Sequence, residues 1–253
     1  MSDQDRNFDD LAERFSARIY DTAKGEWRLK ILKDDLSAIT TRDRLDVWDA
    51  GCGQAQISLW LAEQGHHITC SDISAKMLDS ARKSFEQAQL PARFLQQSLQ
   101  QLSSNEGPFD LVLCHAVLEW LVAPYEGLEQ IAERVARSGY LSLLFYNRNA
   151  MVYRNVLRGG WRLQPILDDE YIGKGHKLSP PYPLYPHEVI EFIGQLGFEV
   201  QTHSGVRVFH DYLSEDALKN SDPEQIFAAE ARFCRMPVYR DMGRYIHLLL
   251  KRL

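Results

Sequence analysis

Leu45-Asp46-Val47-Trp48-Asp49-Ala50-Gly51-Cys52-Gly53-Gln54-Ala55 is the stretch that decides the fold. A short apolar run ends in an acid, then in two glycines one residue apart, and a helical pattern follows. Val47-Trp48 reads as the end of a buried strand, and Ile57, Leu59, Trp60 and Leu61 form the apolar face of the next helix. Glycine at 51 and 53 lets the backbone turn tightly and lets a ligand approach without meeting a Cβ. The helix N-terminus then aims its free amides at that ligand. Nineteen residues beyond Gly53, Asp72 closes a second short strand, His67-Ile68-Thr69-Cys70-Ser71. A carboxylate there is placed to accept hydrogen bonds from ribose hydroxyls.

A glycine pair alone also serves ordinary strand-to-helix turns. The ordered set of strand, glycine loop, helix, strand and acid points to a nucleotide-type cofactor. The spacing departs from the dinucleotide pattern G-x-G-x-x-G, because Ala55 and Gln56 follow. No Lys-Ser/Thr pair follows the glycine loop to hold a triphosphate, which excludes a phosphate loop. The D-A-G-C-G sequence at 49–53 instead resembles motif I of the class I S-adenosylmethionine methyltransferases, and that resemblance supplies the cofactor.

The 253 residues suit one large α/β domain, 1–253, and a hydrophobic fraction of 45% supports a sizeable core. The polar, acidic start predicts no signal peptide, and no apolar run approaches bilayer length. Cys52, Cys70, Cys114 and Cys234 are scattered, which argues for buried thiols in a reducing, cytoplasmic setting and against a disulfide framework or a metal site. A net charge of −6 argues against bulk nucleic-acid affinity, although a local basic patch is compatible with it.

Along the chain, Phe8, Leu11, Ala12, Phe15 and Ile19 share a helical face, with Asn7 as its cap, in an N-terminal helical segment spanning 1–43. A second helix is predicted over Glu26 to Leu36 after a break at Gly25. This puts Arg28 in its first turn, where a ligand carboxylate would be a good partner. Ser74 caps a helix carrying Met77, Leu78, Ala81 and Phe85. A third strand over Ala92 to Leu95 exits at Gln97-Ser98-Leu99. Phe109 to Cys114, almost wholly apolar, reads as a central strand that delivers His115, Glu119 and Trp120 to the same edge. Ser138-Gly139 turns into the strand Tyr140 to Tyr146. Alternating strands and helices predict a doubly wound, mostly parallel sheet.

Between 147 and 186, Arg148, Arg154, Arg158, Arg162, Lys174 and Lys177 are interleaved with Tyr153, Trp161, Tyr171, Tyr182 and Tyr185, while glycines and prolines keep the segment irregular. It is either a solvated helix with a connecting loop or a substrate-binding insertion, in which cations meet phosphates and aromatics stack on bases. Helical periodicity resumes at Glu188 to Leu196, and a strand opens at Gly197. Alternation over Gly205 to Tyr212 places Arg207 and Phe209 on one face and Val206, Val208 and His210 on the other. A helix starts at Pro223, and Arg244 to Leu250 closes the chain as a strand.

Asp5-Arg6-Asn7-Phe8-Asp9-Asp10, His115-Ala116-Val117-Leu118-Glu119-Trp120, Leu143 to Asn147, Gly205 to Tyr212 and Arg244 to His247 together resemble the family of bacterial tRNA 5-carboxymethoxyuridine methyltransferases. The resemblance implies the class I fold, a seven-stranded Rossmann-like sheet whose last strand is reversed, and tRNA (the anticodon loop) as partner. It implies S-adenosylmethionine contacts at Arg28 for the methionine carboxylate, at the Gly51-Cys52-Gly53 loop, at Asp72 for the ribose, at Ser98-Leu99 for the adenine, and at His115. Two departures stand out. Ala55 replaces a glycine common in motif I, and relatives can carry a dense lysine run where this chain has Gly173 to Leu178. A carboxymethoxy substrate brings an ionised nucleophile, so no general base is expected. Substrate positioning falls to one cation plus neutral donors among Tyr146, Asn147, Arg207, His210 and Arg244. A small-molecule carboxyl- or O-methyltransferase and a non-catalytic cofactor-binding module are the rival readings.

Overall fold

Strand β1 (Asp46–Ala50) buries Val47 and Trp48 on its two opposite faces, and the rest of the molecule is layered about that division. The computed structural model describes residues 5, 7–9, 23–41, 43–102, 106–168 and 180–253. The predicted N-terminal helix therefore lies largely outside the described residues, as do Tyr171, Lys174 and Lys177.

Seven strands form one sheet in the order β3-β2-β1-β4-β5-β7-β6. They are β1, β2 (His67–Asp72), β3 (Arg93–Gln96), β4 (Phe109–His115), β5 (Val135–Tyr146), β6 (Phe198–Val206) and β7 (Tyr245–Arg252). Pairing is parallel from β3 across to β5, and β7 runs antiparallel to both β5 and β6. The expected doubly wound, mostly parallel sheet with a reversed last strand is what the chain forms. Strand β4 is central, and Leu111, Val112, Leu113 and Cys114 are fully buried on its two faces, as expected of a strand covered on both sides.

Helices α1 (Ala23–Thr40), α2 (Gln56–Glu63) and α3 (Ala75–Gln87) cover one face; Ile31, Leu32, Leu36, Leu61, Leu78 and Phe85 pack there against Leu111, Leu113, Leu144 and Leu249. Helix α4 (Pro124–Glu133) and a later helix cover the other face; Leu128, Ile131, Val189 and Ile193 meet Trp48, Val112, Leu143 and Ile246. Helix α1 is longer than the sequence suggests and runs through Gly25, so Arg28 lies beyond the first turn. Gly25 falls in the first turn, and the buried stripe of Trp27, Ile31, Leu32, Leu36 and Ile39 holds the helix to the sheet. No helix among the described residues is long and apolar enough to cross a membrane.

After β5 the described part of the segment over 147–168 is mostly helical, as the reading of a helix with a connecting loop allowed. Asn147 caps α5 (Arg148–Arg158) by accepting from the Asn149 amide at 3.0 Å, and after Gly159-Gly160 a short α6 (Leu163–Leu167) follows. Helix α7 (Pro186–Gln195) then leads into β6. Ser138-Gly139 is not a turn between elements. It lies inside β5, with Ser138 at φ 62°, where the pairing with β4 shifts register.

Gly205 to Tyr212 corrects the sequence reading. The strand ends at Val206, Arg207 takes the left-handed conformation (φ 61°), and the chain winds into a single 3₁₀ turn at His210–Tyr212. Alternation fails because a distant carboxylate holds the backbone: buried Glu230 accepts from the amides of Val208 (2.6 Å), Phe209 (3.0 Å) and His210 (2.7 Å). Glu230 belongs to α9 (Pro223–Phe233), which follows the short α8 (Glu215–Asn220) and is capped by Asp222. Glu230→Gln turns one acceptor into a donor facing amide donors. It should cost about 1–3 kcal/mol, read as a melting temperature several degrees lower by circular dichroism. An unchanged melting temperature would show that Glu230 does not set this turn.

Candidate active site

Gly51 ends β1 at φ 74°, and a Cβ there would lie 2.5 Å from Val117 Cγ2, so only glycine fits. The amides of Gly51 and Cys52 both donate to Ser71 O, at 2.8 and 3.0 Å. The Gly53 amide donates to Asp72 Oδ2 at 2.9 Å, and the Ser74 amide to Asp72 Oδ1 at 2.8 Å. Asp72 therefore ties the glycine loop to the start of α3, and each oxygen keeps a lone pair for a further donor. Ala55 holds the left-handed conformation (φ 52°, ψ 35°) just before α2. An alanine there costs about 1–2 kcal/mol relative to relaxed backbone, and the fold carries that cost.

A cleft of about 780 Å³, open to solvent, lies at the carboxyl ends of β1 to β4, where the strand order reverses between β1 and β4. Arg28, Gly51, Gly53, Asp72, Ser98, Leu99 and His115 all line it, from five separate elements and loops. Cys52 turns away into a smaller adjoining recess with Asp49 and Gln56, which shares Arg28, Gly51 and His115 with the main cleft. Ile73, Met77, Leu99 and Leu121 make the cleft's apolar wall. The N-terminal segment crosses it. Asp5 accepts from the Val122 amide (2.9 Å) and Gln100 Nε2 (3.0 Å), Phe8 meets Trp120 edge-on at 4.8 Å, and Asp9 accepts from Ser74 Oγ at 2.6 Å. The sequence reading takes Asn7 and Phe8 as the start of a helix and the segment as a mark of resemblance, and gives it no place at the cleft.

The ionisable groups around the cleft are unusually dry. Burial pushes Asp49 up to about 7, opposed by the Ser58 hydroxyl, which donates to it at 2.5 Å. Burial also raises Asp72, against the amides of Ser74 and Gly53. Burial lowers His115 well below its ordinary value, and the charge of Arg28 adds to the effect. The imidazole is therefore neutral. Glu119 is fully buried, and among the described residues neither of its oxygens has a hydrogen-bond partner. Burial lifts it to about 8, against the pull of nearby amides and Arg28.

A second group gathers where β5 ends and β7 begins. Arg244 lies over the Tyr146 ring at 4.6 Å and Arg207 over the Tyr245 ring at 5.5 Å. Both reach Asp211 Oδ2, at 3.7 and 3.5 Å, while His210 Nδ1 stands 3.3 Å from Asp211 Oδ1. Arg154 of α5 adds a further cation whose proton affinity falls through burial and through the charges of Arg244 and Arg158. Burial pushes the Tyr146 phenol up to about 12, so it remains a neutral donor. The structure thus brings together Tyr146, Arg207, His210 and Arg244. Asn147 is different: it is fully buried, and its amide hydrogens go to Asp241 O and Gly243 O, both at 2.8 Å. It latches the β7 approach and has no hydrogen left for a substrate. Arg154 was passed over as one of many cations in its segment.

The sheet order and the cleft over the glycine loop define the methyltransferase class of Rossmann-like proteins. A family profile described as "Methyltransferase domain" matches residues 48–143. The magnesium protoporphyrin IX methyltransferase of Synechocystis, solved with bound SAH, superposes with a TM-score of 0.66 at 18% identity, covering 97% of this chain and 96% of that one. A ubiquinone biosynthesis O-methyltransferase of Coxiella burnetii is 30% identical over 45% of this chain and 48% of its own length. The tRNA 5-carboxymethoxyuridine methyltransferase of Escherichia coli K12 is 36% identical over 98% of this chain and 97% of its own length. The chain belongs to that tRNA 5-carboxymethoxyuridine methyltransferase family.

Glu119 gives a direct check on the dryness of this site. A carboxyl raised in the folded state loses relative stability as pH climbs from its ordinary value near 4.5 to about 8, because only the unfolded chain releases the proton freely. Glu119→Gln removes that loss. Its melting temperature should match the wild type near pH 5 and exceed it at pH 8 to 9. Equal melting temperatures at both ends would place a charged, partnered Glu119 in the fold.

Proposed function

We propose that this chain transfers a methyl group from S-adenosylmethionine to the carboxylate of 5-carboxymethoxyuridine at the tRNA wobble position. The observation that carries the reading is the reach of the family relation. It extends past the methyltransferase domain at 48–143 into the half that holds Tyr146, Arg154, Arg207 and Arg244. Two ubiquinone biosynthesis O-methyltransferases match 45% of the chain at 30% identity and 64% at 25%, against 98% at 36% for the tRNA enzyme, which favours the RNA substrate over the small-molecule rival.

The cleft's donor set fits the cofactor. The spare lone pairs of Asp72 suit a ribose diol, the apolar wall of Met77, Leu99 and Leu121 suits an adenine with Ser98 at its edge, and Arg28 suits an α-carboxylate. When bound, S-adenosylmethionine supplies an electrophilic methyl carbon on a cationic sulfur. The chain's own part is to seat the acceptor. A substrate carboxylate is ionised at neutral pH, so no base is needed, and a phenol raised to about 12 would be a poor one. Arg207 and Arg244 attract the carboxylate, and Asp211 tempers them at 3.5 and 3.7 Å. That balance matters, because a guanidinium clamp on both oxygens would stabilise the ground state more than a transition state in which the charge disperses. Arg154 and Arg158 on α5, with the exposed Tyr153 and Trp161 beyond, offer phosphate contacts and stacking surfaces for an anticodon loop.

Arg154→Ala and Arg244→Ala test this assignment. Each should raise KM for undermodified tRNA about tenfold or more, and Arg154→Ala should also flatten the salt dependence by roughly one phosphate contact. Cofactor affinity by calorimetry should stay unchanged. Unaltered KM in both variants would move the RNA surface elsewhere, and salt-insensitive turnover of small carboxylic acids without RNA would favour the small-molecule rival.

A further inference from the structure

A continuous polar chain crosses the sheet interior and ends at the cleft. Asp35 on α1 is buried, and its Oδ1 accepts from Arg235 Nε (2.8 Å) and Ser204 Oγ (3.0 Å) and pairs with Arg235 Nη2 (2.6 Å). Its Oδ2 lies 2.6 Å from His247 Nδ1 on β7. His247 Nε2 lies 2.8 Å from Ser142 Oγ on β5, and Ser142 Oγ lies 2.8 Å from His115 Nε2 on β4. Strand register explains the alignment. His115 and His247 both pair with Leu144, and Ser142 stands two residues before it, so all three side chains share the face covered by α1.

Each link constrains the next. Burial favours protonation of Asp35, but hydrogen bonds from His247 and Ser204, with the paired Arg235, outweigh it and keep the carboxylate ionised. The carboxylate therefore takes a proton from His247 Nδ1. Arg235 already balances the charge of Asp35, so a second cation at fully buried His247 would stand uncompensated in a dry interior. Neutral His247 leaves Nε2 as an acceptor for the Ser142 hydroxyl, and the Ser142 oxygen then accepts from His115 Nε2–H. The remaining ring nitrogen of His115 is a lone pair at the amino-acid end of the cleft, beside Arg28 and Gly51.

We infer that Asp35, His247 and Ser142 are positioning residues that lock His115 as the Nε2–H tautomer, so that its bare Nδ1 accepts a hydrogen bond from the α-ammonium of the cofactor's amino-acid group. This rests on the cofactor reading above. Arg28 and His115 then divide the zwitterion between them, cation to carboxylate and lone pair to ammonium. An Nδ1–H ring would point a donor at a donor.

The tautomer is read in ligand-free protein by two-bond ¹⁵N–¹H correlation of ¹⁵N-histidine, with His115 assigned by loss of its signals in His115→Gln. Wild type should show the Nε2–H form, and Ser142→Ala should shift it toward a mixture. Calorimetry gives the second readout. Ser142→Ala should weaken S-adenosylhomocysteine about tenfold, the value of one hydrogen bond to a charged group. Binding of 5′-methylthioadenosine, which lacks the amino-acid end, should change less than twofold. An Nδ1–H His115 in wild type, or equal losses for the two ligands, overturns the inference while leaving the cofactor reading intact. A wild type that binds no S-adenosylhomocysteine overturns the cofactor reading and the ammonium contact with it.

Discussion

The Asp72 carboxylate is the contact on which the rest of the site depends. It gathers the Gly53 amide and the Ser74 amide onto two oxygens of one side chain, and so fixes the glycine loop against the end of β2. That loop can close only because Gly51 turns left-handed against Val117, and Val117 in turn follows β4. One acid thereby registers three strand ends. The cleft is the space those ends leave, and Arg28 and His115 reach it because α1 and β4 are packed on the same frame.

The region where β5 ends and β7 begins is organised by charge rather than by backbone. Arg154, Arg207 and Arg244 cluster in a protein of net charge −6, so the positive field is local and set against a negative whole. Asp211 sits among these cations at distances of 3.5 Å and more, which keeps it from sealing them off. Buried Asn147 and Glu230 fix the backbone on either side of the cluster.

The first half of the fold is legible in the sequence because its demands are local. A tight left-handed turn after a strand favours glycine, as at position 51, and an acid at the end of β2 has one obvious use. The helices announce themselves by spacing, as Met77, Leu78, Ala81 and Phe85 do in α3. Long-range pairing is what periodicity hides. Alternation over Gly205 to Tyr212 cannot reveal that Glu230 pulls three amides out of line. Asp35 in the stripe Leu32-Leu36-Ile39 and His247 inside an apolar strand are visible oddities, yet they lie 212 residues apart and only the fold shows that they meet. Asn147 looked like a substrate group because it follows a strand at the right edge; its hydrogen bonds show it consumed by the β7 approach.

The central claim joins a cofactor cleft of ordinary class with an acceptor site for a modified nucleoside. The most direct measurement is methyl transfer from labelled S-adenosylmethionine to bulk tRNA from cells lacking this gene, followed by nucleoside analysis. The account predicts label in a base-labile methyl ester of wobble 5-carboxymethoxyuridine and in no other nucleoside. Label on another nucleoside, or tight cofactor binding with no label in RNA, would contradict it.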